Sequence, residues 1–252
     1  MSNKKNKLVI GVQCRISSSR LPGKSLLKLE ETTVLGMCLT RAILSGYPVY
    51  LLTSDEKSDD IIEIEARNYG VDGIIRGSLN NVLSRFISLS NKTEADYIVR
   101  VTADNPLTEF RFIDELSNFV NIKKYFYATM DNNICPLGTN LEIFSSKALK
   151  DSFKVNQSAE NFEHVTYHLK KISNKEQFLI KNNLGYKNNQ FTKMSFTIDK
   201  LADYIKVSKL IKRVKEEYNC DWRRNDFVSL ITNYLKLKGS EFYSPRNNPL
   251  KF

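Results

Sequence analysis

Along the first half of the chain, short unbroken apolar runs alternate with longer stretches in which apolar residues recur every three or four places. The runs are residues 8–12, 49–52, 73–76 and 97–101. A strand buried on both faces of a parallel sheet reads this way, because neither of its side-chain rows meets water. Between the runs, Thr32 or Thr33 can cap a helix to about Ser45, with Gly46 as its stop and Pro48 beyond. Ser58 can cap a second helix through Ile61, Ile62, Ile64 and Ala66 to Gly70. Residues 79–89 and about 111–121 carry a third and a fourth amphipathic pattern. Four alternations of strand and helix predict one α/β domain, Rossmann-like, with a mostly parallel twisted sheet flanked by helices. In such sheets ligands bind beyond the carboxyl ends of the strands. The polar loops 14–24, 53–60 and 102–106 all follow strands, so they are expected to converge on one edge.

The second half is less regular. Strands are expected at 125–128 and 140–144, around a turn-rich stretch at 131–138. A helix near 159–171, a strand pair at 178–180 and 194–198, and helices at about 200–216 and 222–237 complete the pattern. We read residues 1–240 as one domain and 241–252 as a C-terminal tail, with no internal repeat.

Composition narrows the class. The 252 residues are 41% hydrophobic and 26% charged, the mix of a water-soluble globular protein. No apolar stretch approaches the roughly 20 residues of a membrane-spanning helix. The polar segment 1–7 and the short apolar run behind it do not make a secretory signal. The expected address is the cytoplasm, without a membrane partner. Cys14, Cys38, Cys135 and Cys220 are scattered and contain no Cys-x-x-Cys pair, which argues against a disulfide framework or a zinc knuckle. His164 and His168 lie four apart but have no third ligand nearby, so a zinc site is not supported. The net charge of +10 suits either nucleic acid or a polyphosphate ligand. The basic residues are dispersed and not interleaved with aromatics, which favours a solvated lysine-rich surface over nucleic-acid binding.

Three segments could carry chemistry. Residues 15–24, Arg-Ile-Ser-Ser-Ser-Arg-Leu-Pro-Gly-Lys, place three cations and three hydroxyls in a loop after the first strand. Such a loop can wrap a triphosphate, with cations neutralising charge and hydroxyl and amide donors holding oxygens. Its alternative is an exposed basic loop. Residues 18–25 also fall one residue short of a P-loop. Ser18 stands for the first glycine, Pro22 removes an amide donor, and residues 26–30 read as a short strand where a P-loop needs a helix. Asp104, in Thr-Ala-Asp-Asn-Pro, and Asp199, in Thr-Ile-Asp, each end an apolar run. Each is placed either to bind Mg²⁺ or to cap the turn that follows.

The segment from Arg15 to Lys24, followed by Leu26-Leu27, resembles the nucleotide-binding loop of cytidylyltransferases. These are the spore-coat polysaccharide biosynthesis type and, more distantly, the CMP-Kdo and CMP-sialic acid synthetases. The likeness continues through residues 52–55, Arg76-Gly-Ser-x-x-x-Val-Leu-x-Arg-Phe86, Val99-Arg-Val-Thr-x-Asp-x-Pro-Leu107, 138–144, 163–166 and 197–199. It implies the nucleotide-diphospho-sugar transferase fold with a small dimerisation and acceptor subregion. It further implies a Mg²⁺-dependent transfer of CMP from CTP to a sugar or sugar-acid acceptor, with release of pyrophosphate. Guanylyl or uridylyl transfer to a sugar phosphate is the near alternative. A P-loop-like kinase and a non-enzymatic nucleotide- or RNA-binding protein are the distant ones.

By the same resemblance, Arg15, Ser18, Arg20 and Lys24 hold the triphosphate, and Thr53, Ser54, Gly77 and Ser78 line the nucleoside pocket. Asp104 and Asp199 hold the metal. Arg15, Lys24 and Asp104 are the expected catalytic residues, while Asn140, Glu142, Glu163 and His164 are expected at the acceptor. A homodimer is also implied. The chain departs from the family in the acceptor stretch, where the usual Arg and Asp are Leu137 and Asn140, and at Cys14 and Ala103. These changes point to an unusual acceptor, with lost catalysis as the lesser alternative.

Overall fold

A computed structural model describes residues 6–123, 125–130, 135–173 and 194–238. The four apolar runs become β1 (Leu8–Gln13), β4 (Val49–Ser54), β5 (Gly73–Gly77) and β6 (Tyr97–Thr102). They pair in parallel in the order β5-β4-β1-β6. Between β1 and β4 lies a small hairpin of β2 (Lys28–Leu29) and β3 (Thr32–Thr33). Beyond β6 the sheet changes sense. β8 (Glu142–Ser145) runs antiparallel to β6, and β7 (Tyr127–Thr129) closes the edge antiparallel to β8.

Both faces of the central strands are covered, which is why they read as unbroken apolar runs. On β1, Ile10 and Val12 join a core cluster packed by α1 (Val34–Ile43), α4 (Phe112–Lys123), α8 (Leu201–Tyr218) and α9 (Phe227–Lys238). Val9 points the other way, into a second cluster with α3 (Val82–Thr93), α5 (Ser146–Val155) and α7 (Tyr167–Ile172). Gly11 lets α3 approach closely, since a Cβ there would lie 2.8 Å from Phe86.

Local signals account for most helix boundaries. Thr33 caps α1 by accepting the Gly36 N–H at 2.9 Å, and Gly46 follows it at φ +79°. For α2 (Asp60–Arg67) the cap is Asp59 and not the expected Ser58, because residues 57–59 form a separate 3-10 turn. α3 starts three residues later than expected, since Ser78 accepts the Asn81 N–H in a preceding turn and Asn81 then caps the helix. α5 was absent from the sequence reading; Ser145 caps it through the Ala148 N–H. The single helix expected at 159–171 is two, α6 (Ala159–His164) and α7, broken at Val165, which adopts φ +54°. That backbone is costly for a β-branched residue. The helix expected from 222 begins at Phe227.

Residues 194–198 form no strand. Leu137 and Ser195 make an isolated bridge, with Leu137 N–H donating to Met194 O at 3.0 Å and Phe196 N–H to Leu137 O at 2.8 Å. The strand expected at 178–180 and the tail 241–252 lie outside the described residues. Among the described residues no helix is long and apolar enough to cross a membrane.

Candidate active site

The basic loop leaves β1 at its carboxyl end and is fastened at its base. The Asp59 carboxylate is buried, and its Oδ1 accepts the Ile16 N–H at 2.7 Å. Its Oδ2 accepts the hydroxyls of Thr53 at 3.0 Å and Ser54 at 2.5 Å, and the Ser54 N–H at 3.1 Å. Burial opposes the charge on Asp59, but the donors from Ser54 and Ile16 outweigh it and hold its carboxyl below the ordinary range. The loop ends at Gly23, φ +71°, and one 3-10 turn, Lys24–Leu26, before β2. No helix follows Lys24, so the P-loop geometry is not formed.

At the far end of the loop Lys24 bridges the two strand-end carboxylates. Its ammonium lies 2.6 Å from Asp104 and 3.0 Å from Asp199, and Arg20 lies 2.7 Å from Asp199. Asp104 follows β6, and Asp199 leads into α8. The two segments are tied directly, since Ile198 N–H donates to Asp104 O at 2.9 Å. For Asp199, burial works against ionisation, while Arg20 and then Lys24 hold the carboxyl below its ordinary value. The Lys24 side chain, 12% exposed, is therefore a largely buried counter-ion and not a solvated surface charge.

Around these groups lies a cleft of about 280 Å³. Arg15, Ser18, Arg20, Lys24, Asp104, Asp199, Glu163 and His164 all line it. The sequence expectation thus converges for eight residues drawn from four segments. Arg15 and Glu163 pair loosely at 3.6 Å across the mouth.

The four residues expected at the nucleoside stand outside the lining of this cleft. Thr53 and Ser54 are fully buried and spend their hydroxyls on Asp59. Gly77 packs on Arg85, where a Cβ would meet the side chain at 3.0 Å. Ser78 is exposed and caps the turn before α3. None of the four lines the cleft. Arg85 does, and sequence reasoning passed over it because it stands among Val82, Leu83, Phe86 and Leu89 on the apolar face of α3. It is 2% exposed, donates from Nη1 to Leu52 O at 3.3 Å, and its Nε has no partner. Burial pushes its guanidinium down to about 10.

The other two residues expected at the acceptor, Asn140 and Glu142, line a neighbouring cavity and not this cleft. Asn140 is turned onto the backbone of Met130, accepting its N–H at 3.1 Å and donating to its carbonyl at 2.8 Å. Glu142 lines a second cavity of about 190 Å³ that shares Arg100 and Thr102 with the first. Its carboxylate is occupied by Arg100 at 2.6 Å, Lys170 at 2.7 Å, the Tyr127 hydroxyl at 2.7 Å and the Thr166 hydroxyl at 3.1 Å. Burial raises the cost of its charge, but Arg100 and then Lys170 prevail and hold the carboxyl at about 2.

Among the described residues no three His, Cys, Asp or Glu side chains gather into a metal cluster. Two carboxylates do converge on one cation, the Lys24 ammonium, and hard oxygen donors of this kind suit Mg²⁺ when phosphate oxygens complete the shell.

The chain is similar to several known proteins. An uncharacterized protein of Methanocaldococcus jannaschii is 35% identical over 161 residues, 63% of this chain and 65% of its own length. The spore coat polysaccharide biosynthesis protein SpsF of Bacillus subtilis is 28% identical over 174 residues, 66% of this chain and 70% of its own. The match thus spans about two thirds of each relative. A solved cytidylyltransferase from Leptospira borgpetersenii superposes with a TM-score of 0.82 at 27% identity, covering 98% of this chain and all of that one. The family model described as Cytidylyltransferase matches residues 9–228, a span that takes in both aspartates and the basic loop, and this chain belongs to that family.

Proposed function

We propose that the chain is a Mg²⁺-dependent nucleotidyltransferase that moves CMP from CTP to a sugar or sugar-acid acceptor and releases pyrophosphate. One observation carries the reading. Lys24, Arg20 and Arg15 meet Asp104 and Asp199 in a single cleft, so groups that bind phosphate and groups that bind a divalent cation face the same space. Nucleotide choice rests on family membership.

In this reading the triphosphate takes the place beside Lys24 that the carboxylates now share, with Arg15, Arg20 and the Ser18 hydroxyl around it. Arg85, buried without a carboxylate partner, adds a further cation to the wall of the cleft for the nucleotide. Asp104 and Asp199 would hold Mg²⁺, which when bound neutralises phosphate charge and polarises the phosphoryl oxygen. The acceptor hydroxyl oxygen bonds to the α-phosphorus, the α–β bridging bond breaks, and the hydroxyl proton passes to solvent. The cationic loop stabilises the charge that develops on the departing pyrophosphate. No covalent enzyme intermediate is required. The reading includes a homodimer in the cytoplasm, which light scattering and fractionation would test.

The experiment is pyrophosphate release with CTP, GTP, UTP or ATP, Mg²⁺ and a panel of acceptors. CTP is expected to be preferred, and Asp104→Ala and Asp199→Ala are each expected to lower kcat by about 100-fold or more with thermal unfolding little changed. Release of orthophosphate in place of pyrophosphate would favour a kinase or NTPase. No pyrophosphate with any acceptor, together with nucleotide binding indifferent to Asp104→Ala, would refute the proposal.

A further inference from the structure

We infer that Tyr204 and Lys215 of α8 are positioning residues for Lys24, because they fasten the hairpin that follows the basic loop to the helix that begins beside Asp199. The functional weight of this rests on the transfer reading above, in which Lys24 and Asp199 face the triphosphate and its cation.

The basic loop does not run into a long element that could hold it. After the single turn at Lys24–Leu26 the chain enters a hairpin with two residues in each strand, β2 and β3. A ribbon so short has little stability of its own, so its neighbours set its position. Leu29 is buried in the core. The second strand is tied to α2 and the turn after it. Thr32 and Tyr69 share a hydroxyl–hydroxyl bond of 2.6 Å, and Thr33 donates to Glu65 at 2.7 Å. The first strand, continuous with Lys24, and the tip are tied to α8. The Tyr204 hydroxyl donates to Lys28 O at 2.5 Å. The Lys215 ammonium lies 2.7 Å from Glu30 and 2.7 Å from Glu31, and the Trp222 indole N–H donates to Glu31 at 2.8 Å.

Tyr204 and Lys215 are about three helical turns apart, so they leave one face of α8 at points roughly 16 Å apart along its axis. The same helix starts just after Asp199, whose N–H donates to Asp203 in its first turn at 3.1 Å. Lys24 and Asp199 are thus located by one rigid rod, and they meet at 3.0 Å. Backbone conformation points the same way. Glu30 at the hairpin tip has φ +56°, a left-handed conformation that disfavours any residue with a Cβ. Its carboxylate is kept against Lys215, so a bond to α8 and not local preference accounts for that turn. The pair is 21% and 16% exposed, better shielded than an ordinary surface ion pair. Lys215 and then Trp222 hold Glu31 at about 2, so the clamp stays charged at any ordinary pH.

Amide hydrogen exchange and calorimetry on the full chain test this. The binding probes are Mg²⁺ with CTP and, for the cationic loop alone, inorganic tripolyphosphate without divalent cation. Tyr204→Phe removes one hydroxyl and Lys215→Met one charge. Each is expected to speed exchange at the Leu26, Leu27 and Val34 amides, which donate to the carbonyls of Gly23, Lys24 and Leu27. Each is also expected to weaken both probes about fivefold, with most of the loss recovered in Lys215→Arg. A clamp that serves stability alone would lower Tm and leave both Kd values unchanged at temperatures where the variants are folded. That result, or unchanged exchange at the three amides, overturns the inference. Tyr204→Phe, which removes one atom, decides the matter should Lys215→Met fail to fold. Tripolyphosphate that binds and is weakened by the variants, while CTP binds no better than tripolyphosphate, would count against the transfer reading and support the positioning role.

Discussion

At the scale of single residues, the site is a set of charges most of which are held in place by a named opposite. Glu142 is the clearest case. Its carboxyl is held at about 2, against 4.5 for an ordinary glutamate, so its contribution to stability is complete above pH 4.5. As pH falls from there through 2, the contribution is lost, because the folded state must then accept a proton it binds weakly. Replacing it with glutamine leaves Arg100 and Lys170 facing each other with no anion. We expect Glu142→Gln to cost about 3 kcal/mol at pH 7. We also expect a shallower loss of stability than the wild type between pH 4.5 and 2, both read by urea unfolding across pH. Arg85 gives the opposite test. Its charge is buried without a carboxylate, so Arg85→Met is expected to leave stability unchanged or raise it. The same variant should weaken CTP binding at least fivefold in a titration. A variant that is less stable but still binds CTP normally would assign Arg85 to the core alone.

At the scale of elements, the two halves of the chain are fastened by backbone contacts that no periodic pattern encodes. The turn at Gly138 has φ +89° and lies against the segment that carries Asp199, where a Cβ would fall 2.7 Å from Thr197 N. Gly46 has a similar φ of +79°, but a Cβ there meets nothing within 4 Å. Gly46→Ala should therefore cost only backbone strain, about 1 kcal/mol, with kcat unchanged. Gly138→Ala adds a collision with backbone, so a larger loss of stability and a fall in kcat of about tenfold are expected, measured side by side in thermal melts and pyrophosphate release. The parallel half of the sheet was legible in the sequence because its strands are apolar on both faces. α5 was not, since only Leu149 and a few flanking residues mark its buried side. The break at Val165 was also hidden, because nothing in the pattern of residues 159–171 disfavours a continuous helix.

At the scale of the whole molecule, the net charge of +10 is not spread evenly in meaning. Arg20 and Lys24 are already countered by aspartates, while Arg85 and the Arg100–Lys170 pair keep positive charge turned toward cavities. Saturating CTP with Mg²⁺ is therefore expected to stabilise the fold by about 2.7 kcal/mol at a hundredfold excess over Kd. In a chain of this size that is a rise in Tm of very roughly 5–10 °C by differential scanning. Asp199→Ala should abolish most of that rise. The basic loop and the two aspartates were legible because each follows an apolar run in a short polar segment. Arg100 was not, since it sits inside such a run, and its partner lies 42 positions further on. Thr53 and Ser54 misled for a related reason. They stand at the end of a strand, as ligand-binding residues do, but Asp59 draws their hydroxyls inward.

The antiparallel pairing of β6 with β8 sets Arg100 directly opposite Glu142. Side chains on a strand alternate between faces, so inserting or deleting one residue just before Glu142 would turn it away and set a neighbouring residue opposite Arg100 instead. The Arg100–Glu142 pairing is thus open to point substitution around it and closed to change in loop length between 130 and 142. Homologues that differ here should vary in residue identity while keeping the spacing, and a library built around this pairing should hold that length constant.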